Sequence, residues 1–458
     1  MPTTTPSAAP SSAPSLTVLA PLPTRASTIP SSASSAAATL HWQEAGKPRS
    51  AQWRSERGAP PPKRVVLADD TLSADTAYRL VCEGTGLLWR GDFQNARQLV
   101  QALARRVDKP PKASKQARVE RKKAAHAEAV GVPAAQAFHL HRQAQSQRAR
   151  VLGMVLIEFA ADYSIALRRA PDARQACTEA WGSAAPSPTT VGGEAAATTA
   201  DAAGHSVASL RELMGVISAH EWRKKGVELA ALGTGAKSAY KAAPNNRIHP
   251  HYGVFSPVRG EYVDLVAKAP LPVKRPAKFV AFDIGTGTGV LAAVLALRGV
   301  DQVVATDQDA RALACARENI DRLRLPAPVK VMQADLFPEG LASVVVCNPP
   351  WLPARPGSPL EGAVYDEGSR MLLGFISGLA AHLAPGGEGW LILSDFAEHL
   401  GLRSRAELLA AINAAGLSVA GRLDATPEHP KALDTSDVLH AARAKEVTSL
   451  WRLVLATA

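Results

Sequence analysis

The apolar and polar positions of this chain follow one pattern before about residue 245 and another after it. In the first part, apolar residues recur every three or four positions, as in FQNARQLVQALARR (93–106), which follows a capping aspartate. Similar spacing predicts further helices after a cap at Ser73 or Asp75, over 134–170 and over 206–232. We therefore predict a mainly helical N-terminal domain over residues 46–240.

After about residue 245, short apolar runs alternate with helical segments. The runs that predict strands are KFVAFDIG (278–285), QVVAT (302–306), VKVMQ (329–333), SVVVC (343–347), EGWLILSD (388–395), LSVAGRL (417–423) and TSLWRLVLA (448–456). Strands that alternate with helices form a largely parallel sheet covered on both faces. The fold class expected for residues 245–458 is α/β, doubly wound, with seven strands.

Two segments lack such periodicity. Residues 1–45 are rich in Ser, Thr, Ala and Pro, and the first 43 contain no acid and a single base, Arg25, which favours a disordered tail. A transit peptide would also be poor in acids, but it would carry more arginine. Residues 182–204 are of low complexity and are predicted to be a disordered insertion.

The charge is concentrated in the N-terminal half. The chain has 52 Lys+Arg and 41 Asp+Glu, and residues 241–458 hold 22 of each, which leaves 30 and 19 before residue 241. A basic strip, residues 105–123, spaces its cations three positions apart. It is interpreted either as a contact for RNA phosphates or as a solvated linker, since no aromatic residues are interleaved for base stacking.

Composition excludes several classes of protein. The four cysteines are far apart and form no CxxC pair, so neither a disulfide framework nor a metal site is expected. No apolar run approaches the ~20 residues that a membrane-spanning helix needs. We expect a cytoplasmic protein of unknown oligomeric state that contacts no membrane.

Candidate chemistry lies where the predicted strands end. The first strand runs into DIGTGTG (283–289), where Gly285, Gly287 and Gly289 allow a sharp turn and a close approach of the backbone to a ligand. Asp307 and Asp335 follow the next two strands. The carboxyl ends of parallel strands lie at one edge of a sheet, so these side chains are predicted to meet at a ligand site.

The fourth strand ends in NPPW, which is Asn348, Pro349, Pro350 and Trp351. Two prolines end a strand without help from an asparagine or a tryptophan, so the motif suggests a function. These four residues are the candidate catalytic residues.

Together these motifs resemble the class I S-adenosylmethionine-dependent methyltransferases over roughly residues 245–458. The segments VFSPVRGEYVDLV (254–266), DIGTGTG, ATDQD, QADLF, CNPPW and YDEGSRMLLGF (365–375) are similar to those of release-factor glutamine-N5 methyltransferases and small-domain rRNA methyltransferases. The resemblance implies S-adenosylmethionine as cofactor and places the last strand antiparallel between the fifth and sixth.

The resemblance also implies roles for individual residues. In NPPW, it implies that Asn348 Oδ1 and the Pro349 carbonyl each accept one N–H of a planar nitrogen and that Trp351 stacks on its plane. The residues implied to bind the cofactor are Asp283, Gly285, Thr286, Gly287 and Gly289 at the methionine moiety, Asp307 at the ribose, Asp335 at the adenine, and Asn348. The implied substrate is a glutamine side chain in a protein of the translation apparatus, with an rRNA or tRNA base amine as the alternative, and DNA adenine or a small molecule also stays open. An inactive scaffold that binds RNA or the ribosome also stays open. A nicotinamide-dependent oxidoreductase is disfavoured, because the turn has GxGxG and not GxGxxG.

Overall fold

A computed structural model describes most of the chain. The described residues are 38–108, 133–183, 204–233, 246–273, 277–358, 360–427, 434 and 437–457. Most of the predicted tail, of the basic strip and of the low-complexity insertion lies outside these residues, as does the predicted domain boundary near residues 240–245. Arg106, a described member of the strip, forms an ion pair of 2.8 Å with Asp75.

The first part of the structure contains both strands and helices. Its elements are β1 (Thr39–Glu44), β2 (Lys47–Trp53), β3 (Arg64–Ala68), α1 (Ala74–Cys82), β4 (Thr85–Trp89), α2 (Phe93–Val107), α3 (Ala134–Leu152), β5 (Val155–Phe159), α4 (Arg174–Trp181), β6 (Ser206–Ser209) and α5 (Leu210–Lys225). The side chains of Ser73 and Asp92 accept backbone N–H bonds at the starts of α1 and α2. Asp92 is the predicted cap, and of the two caps predicted for α1 the structure has Ser73, with Asp75 in the first turn.

Six of these strands form a mixed sheet in the order β1-β2-β6-β5-β4-β3. Strands β3, β4 and β5 are parallel, whereas β1 pairs with β2 and β5 pairs with β6 in antiparallel fashion. One face is buried under the helices, with Leu87, Trp89 and Ile157 pointing into that core. Leu88 and Leu156, which alternate with them, pack with Leu40 and Trp42 on the other face.

The prediction of a mainly helical N-terminal domain therefore missed a six-stranded sheet. The missed strands have four to seven residues. Short buried runs such as TGLLW and VLIEF cannot be distinguished from buried helix segments by periodicity. The segment 134–170 is a helix that ends at Leu152 and is followed by β5. Residues 39–44 of the predicted tail form β1.

Two short strands, β7 (Val227–Glu228) and β8 (Arg247–Ile248), pair before the second sheet begins. The remaining elements are α6 (Glu261–Lys268), β9 (Val280–Ile284), α7 (Val290–Leu297), β10 (Gln302–Asp307), α8 (Ala310–Leu323), β11 (Val329–Gln333), β12 (Ala342–Cys347), α9 (Arg370–Leu379), β13 (Leu383–Ser394), α10 (Phe396–His399), α11 (Arg405–Ala414), β14 (Leu417–Ala425), α12 (His440–Arg443) and β15 (Thr448–Leu455).

The second sheet has seven strands in the order β11-β10-β9-β12-β13-β15-β14. All seven strands were predicted, and β15 pairs antiparallel with both β13 and β14, as the resemblance implies. Every residue of β12 is buried, which explains its continuous apolar sequence. Helices α6 and α7 pack on one face of the sheet, and α9 and α11 pack on the other.

No helix of the described residues is both long and apolar enough to cross a membrane. The described residues, which begin at residue 38, form one compact unit. Contacts therefore join the first sheet and its helices to the second.

Candidate active site

Four adjacent strands bring the predicted site residues to one edge of the second sheet. The order β11-β10-β9-β12 places Asp335, Asp307, the glycine turn and Asn348 after neighbouring strands, because these strands are parallel. Asp335 follows β11, Asp307 ends β10, the turn follows β9 and Asn348 follows β12. This is the arrangement that the strand pattern predicts.

The turn after β9 has a left-handed backbone at alternate positions. Gly285, Gly287 and Gly289 have φ of 71°, 55° and 81°, which side chains with a Cβ rarely adopt. A Cβ at Gly285 would clash with Met371 Cε, and one at Gly289 would crowd the backbone of Ala316. A Cβ at Gly287 would meet no described atom within 4 Å. The space beside Gly287 is therefore open to a ligand.

Asp283, near the end of β9, is hydrogen-bonded to the glycine turn. Its carboxylate is 1% exposed and accepts hydrogen bonds from Thr286 Oγ1 at 2.6 Å and from the Ala292 amide at 3.0 Å. Burial raises the pKa of Asp283 to about 6, against the hydrogen bonds, which lower it. Thr286 also donates its amide N–H to the Thr306 carbonyl at 2.8 Å, which ties the turn to β10.

The raised pKa of Asp283 predicts a pH-dependent stability. A rise from 3.8 to about 6 means that ionisation costs the folded state about 3 kcal/mol more than the unfolded state. This cost is absent below about pH 4 and complete above about pH 6. Asp283→Asn keeps an acceptor oxygen and stays neutral, so its stability relative to wild type should increase as pH rises through that window. Urea unfolding of both proteins at pH 4 to 7 measures this, and a pH-independent difference would contradict it.

Asp307 is joined directly to the glycine turn. Its Oδ2 accepts from the Gly287 amide at 3.0 Å, and its Oδ1 accepts from the Asp309 amide at 3.0 Å. Burial raises the pKa of this carboxyl above its usual range. Each carboxylate oxygen retains a free lone pair, so Asp307 could still accept from the hydroxyl groups of a ribose.

Asp335 lies at the exposed rim of this edge. Arg370, in the first turn of α9, donates to both carboxylate oxygens at 3.0 and 3.2 Å, and Gln308 Nε2 also donates to Oδ1. The side chain of Asp335 is 65% exposed. To accept a hydrogen bond from adenine, Asp335 must therefore use the lone pairs that Arg370 and Gln308 do not occupy.

Asn348 and Trp351 are linked within the NPPW turn. Trp351 Nε1 donates a hydrogen bond of 2.9 Å to Asn348 Oδ1. An indole N–H can only donate, so this bond identifies the amide oxygen and fixes the orientation of the Asn348 side chain. The Trp351 ring is half-buried and packs against both cores of the sheet, and Pro349 is buried. The sequence indicates each residue but not this bond.

Helix α9 contributes residues that the sequence analysis did not assign to the site. Met371 lies against Gly285, and the buried carboxylate of Asp366 accepts from the amides of Met371 at 2.8 Å and Leu372 at 3.3 Å. Asp366 thereby orients the start of the helix beside the glycine turn. In the sequence, these residues belong to the segment DEGSRML (366–372), which was similar to the family but was given no role in the site.

The N-terminal part of the chain contacts the loop that follows NPPW. Phe138, on α3, is 2% exposed and packs in a cluster with Leu352. The Arg142 guanidinium lies 4.0 Å from the centre of the Tyr365 ring and donates to the Arg355 carbonyl at 2.8 Å. Helix α3 therefore supports the loop between NPPW and α9.

The geometry of the site fits S-adenosylmethionine. Open space beside Gly287, next to carboxylates with free lone pairs, suits a molecule with ribose hydroxyl groups and a positive charge. Among the residues that the structure describes, no cluster of three or more His, Cys, Asp or Glu side chains could hold a metal ion.

Comparison with known proteins relates this region to methyltransferases. Residues 245–406 match the family model of the methyltransferase small domain. The release factor glutamine methyltransferase of Caulobacter vibrioides is 38% identical over 115 residues, which are 23% of this chain and 39% of that protein. The ribosomal protein L11 methyltransferase of Pelotomaculum thermopropionicum is 35% identical over 144 residues, 31% of this chain and 39% of that protein. The chain thus spans about two fifths of the length of these relatives.

A solved structure of ribosomal protein L11 methylase from Lactobacillus delbrueckii subsp. bulgaricus covers 48% of this chain and 92% of its own, with 16% identity and a TM-score of 0.32. The match to the family model covers the glycine turn, Asp307, Asp335 and NPPW. Residues 245–406 of this chain are thus similar to the methyltransferase small domain, and the cofactor that such class I methyltransferases use is S-adenosylmethionine.

Proposed function

We propose that this protein is an S-adenosylmethionine-dependent N-methyltransferase that acts on a planar amide or amino nitrogen. The observation that carries the proposal is the hydrogen bond from Trp351 Nε1 to Asn348 Oδ1 at the end of β12. It fixes an acceptor oxygen beside the glycine turn, where a nitrogen substrate needs one. S-adenosylmethionine supplies an electrophilic methyl group on a positively charged sulfur.

The chain's own residues orient the nitrogen that receives the methyl group. The lone pair of an amide or aryl amine nitrogen is delocalised, so the nitrogen is a poor nucleophile. Asn348 Oδ1 has two lone pairs, of which Trp351 uses one, and the other can accept one N–H of the substrate. The Pro349 carbonyl can accept the second N–H. Two acceptors hold the nitrogen in place and draw electron density onto it.

Asp283 and Thr286 hold the turn, Gly287 leaves space for the cofactor, and Asp307 offers lone pairs for its ribose. The intact turn, both acids and NPPW argue against an inactive scaffold. Titration of the purified protein with labelled S-adenosylmethionine and with NADH separates a protein that binds the methyl donor from a nicotinamide-dependent oxidoreductase, and the methyl-transfer assay below separates an enzyme from a scaffold.

Trp351 acts in this proposal as a positioning residue as well as a stacking surface. Trp351→Phe keeps an aromatic ring but removes the N–H that fixes the Asn348 amide. Loss of one hydrogen bond should lower kcat by about two- to tenfold, because the amide can then rotate away from its acceptor orientation. The affinity for S-adenosylmethionine and the Tm should change little.

The matched control is Trp222→Phe, at a tryptophan that is 42% exposed on α5. Steady-state kinetics and calorimetric titration with S-adenosylmethionine distinguish positioning from structural damage. An unchanged kcat in Trp351→Phe would contradict the positioning role.

For the substrate, we propose a glutamine side chain in a protein of the translation apparatus. Relatives that match this chain are named for release factors and for ribosomal protein L11, both of which serve in translation. An rRNA or tRNA base amine is the alternative, because it offers Asn348 and Pro349 the same pair of N–H donors. We place the enzyme in the cytoplasm, where both kinds of substrate occur. Phosphate contacts through the basic strip would serve either of them.

Helix α3 gives the N-terminal part a role in the choice of acceptor. Phe138 and Arg142 hold the loop that leaves NPPW, so the same helix that anchors the N-terminal sheet shapes the acceptor side of the site. The match to the methyltransferase small-domain model covers residues 245–406, so helix α3 lies outside it. We therefore assign acceptor specificity to the N-terminal part.

Labelled methyl transfer into a cell extract tests the substrate class. Acid hydrolysis releases methylamine from a methylated glutamine, whereas a methylated base survives enzymatic digestion as a modified nucleoside. We expect label in the protein fraction that yields methylamine. Label only in nucleosides would replace the glutamine assignment with the RNA alternative, and no transfer from a protein that binds S-adenosylmethionine would favour the scaffold.

A further inference from the structure

A cleft with a volume of about 630 Å³ lies where the N-terminal part of the chain meets helix α8. Its wall comes from the end of β2, the end of α4, the loop at residues 251–252 and the first turns of α8. The glycine turn, Asp307 and NPPW do not line it. This cleft is large enough for a small organic molecule and is distinct from the methyltransferase site.

Two buried hydrogen-bond donors on its wall lack an acceptor. Within the described part of the chain, neither Arg54 Nε nor Trp181 Nε1 has a hydrogen-bond partner, although both atoms are buried. A buried donor without a partner costs roughly 1–3 kcal/mol, more for a charged group. Both side chains line the cleft, so a ligand with acceptor atoms could satisfy them together.

The charge of Arg54 is also unbalanced. No ion pair of Arg54 with a carboxylate occurs among the described residues. Its guanidinium instead lies 5.1 Å from the centre of the Tyr163 ring and 5.5 Å from that of Trp181, which fixes it in place. Arg54 is thus a rigid cation that faces a cleft.

The other charged side chains on the wall are already paired. Their partners are Glu56 for Arg311 at 3.1 Å, His220 and Arg223 for Glu179 at 2.9 and 3.4 Å, and Glu318 for His251 at 2.7 Å. Arg54 is therefore the cation of this wall whose charge a ligand would balance. Flat surfaces for the rest of that ligand come from Trp53, Trp181 and Tyr252.

We propose that this cleft binds a small organic oxyanion, a phosphate or carboxylate attached to a flat group. The oxyanion accepts from Arg54 Nε and Trp181 Nε1, and the flat group lies against the aromatic side chains. A guanidinium and an indole N–H offer the charge-assisted and neutral hydrogen bonds that such an oxygen pair accepts. The ligand contacts residues of the N-terminal part and of α8 together, so its binding stabilises the contact between them.

Isothermal titration of the full chain tests this proposal, with S-adenosylhomocysteine present at saturation to keep probes out of the methyltransferase site. The probes are UMP, uridine, inorganic phosphate and citrate. UMP against uridine isolates the phosphate, and citrate represents carboxylates. We expect UMP or citrate to bind and uridine to bind at least tenfold more weakly than UMP.

Two variants and two controls connect binding to the wall residues. Arg54→Gln and Trp181→Phe should each weaken oxyanion binding by about tenfold or more, because each removes one unpartnered donor. Arg174→Gln makes the same charge change at an exposed residue of α4, and Trp222→Phe makes the same ring change on α5, so both should bind within twofold of wild type.

The affinity of every variant for S-adenosylhomocysteine should equal that of wild type, which distinguishes a local effect from unfolding. Binding of UMP supports a phosphate ligand, and binding of citrate alone supports a carboxylate. The proposal is overturned if no oxyanion binds at millimolar concentration. It is also overturned if Arg54→Gln and Trp181→Phe, both folded, bind as wild type does.

Discussion

Replacement of Asn348 by alanine is expected to lower methyl-transfer turnover by about 10²- to 10³-fold, the range found when one oxyanion-hole donor is removed. Asn348 Oδ1 is the side-chain acceptor at the end of β12, and its loss leaves the Pro349 carbonyl to orient the nitrogen alone. The glycine turn and Asp307 do not hydrogen-bond to Asn348 in the described structure, so S-adenosylmethionine should still bind within several-fold of wild type.

Two comparisons make this expectation specific. Asn413→Ala removes an exposed asparagine on α11 and should leave turnover unchanged. Trp351→Phe, which keeps Asn348 but frees its amide, should fall between wild type and Asn348→Ala. Single-turnover rates on the acceptor found in extracts, together with S-adenosylmethionine affinities, measure both effects. Turnover equal to wild type in Asn348→Ala would remove NPPW from the chemistry.

The second sheet could be predicted from sequence because several kinds of local signal agree there. Strand β12 is buried on both faces and therefore has a continuous apolar sequence, and β9 runs directly into glycines that the turn requires. Asp307 and Asp335 each follow a strand, and parallel strands bring such positions together. The antiparallel place of β15 came from family resemblance alone, since no local pattern specifies a neighbour.

The first sheet could not be predicted because its signals are short and ambiguous. The four residues of β6 precede α5 with no break, and β5 follows α3 after a single glycine and a methionine. Each run fits a buried helix turn as well as a strand. Pairing such as β2 with β6 joins residues that are more than 150 positions apart, and no spacing in the sequence reports it.

The side-chain contacts within the candidate site also could not be predicted from the sequence. Asp283 was assigned to the cofactor, and the structure adds two partners within the protein, because its Oδ2 accepts from Thr286 Oγ1 and from the Ala292 amide. Asp335 has Arg370 as a partner from a helix 35 positions away. A motif specifies which groups are available, whereas their hydrogen-bond partners depend on how distant helices pack.

Replacement of Gly287 by valine should abolish S-adenosylmethionine binding while the protein stays folded. Gly287 has φ of 55° and no described atom within 4 Å of the position that a Cβ would take. A β-branched side chain would fill the space that the cofactor needs. Its left-handed backbone would cost roughly 1–3 kcal/mol of stability, which a domain with a core of this size can lose and remain folded.

Gly299→Val separates the loss of space from the backbone strain. Gly299 has φ of 80° and is equally free of neighbours within 4 Å, but it precedes β10, at the end of the sheet opposite Asp307. Both variants should lose similar stability in urea unfolding. Only Gly287→Val should lose calorimetric binding of S-adenosylmethionine. If Gly287→Val binds with wild-type affinity, the cofactor does not lie beside this turn, and if both variants lose binding equally, strain and not occupied space is the cause.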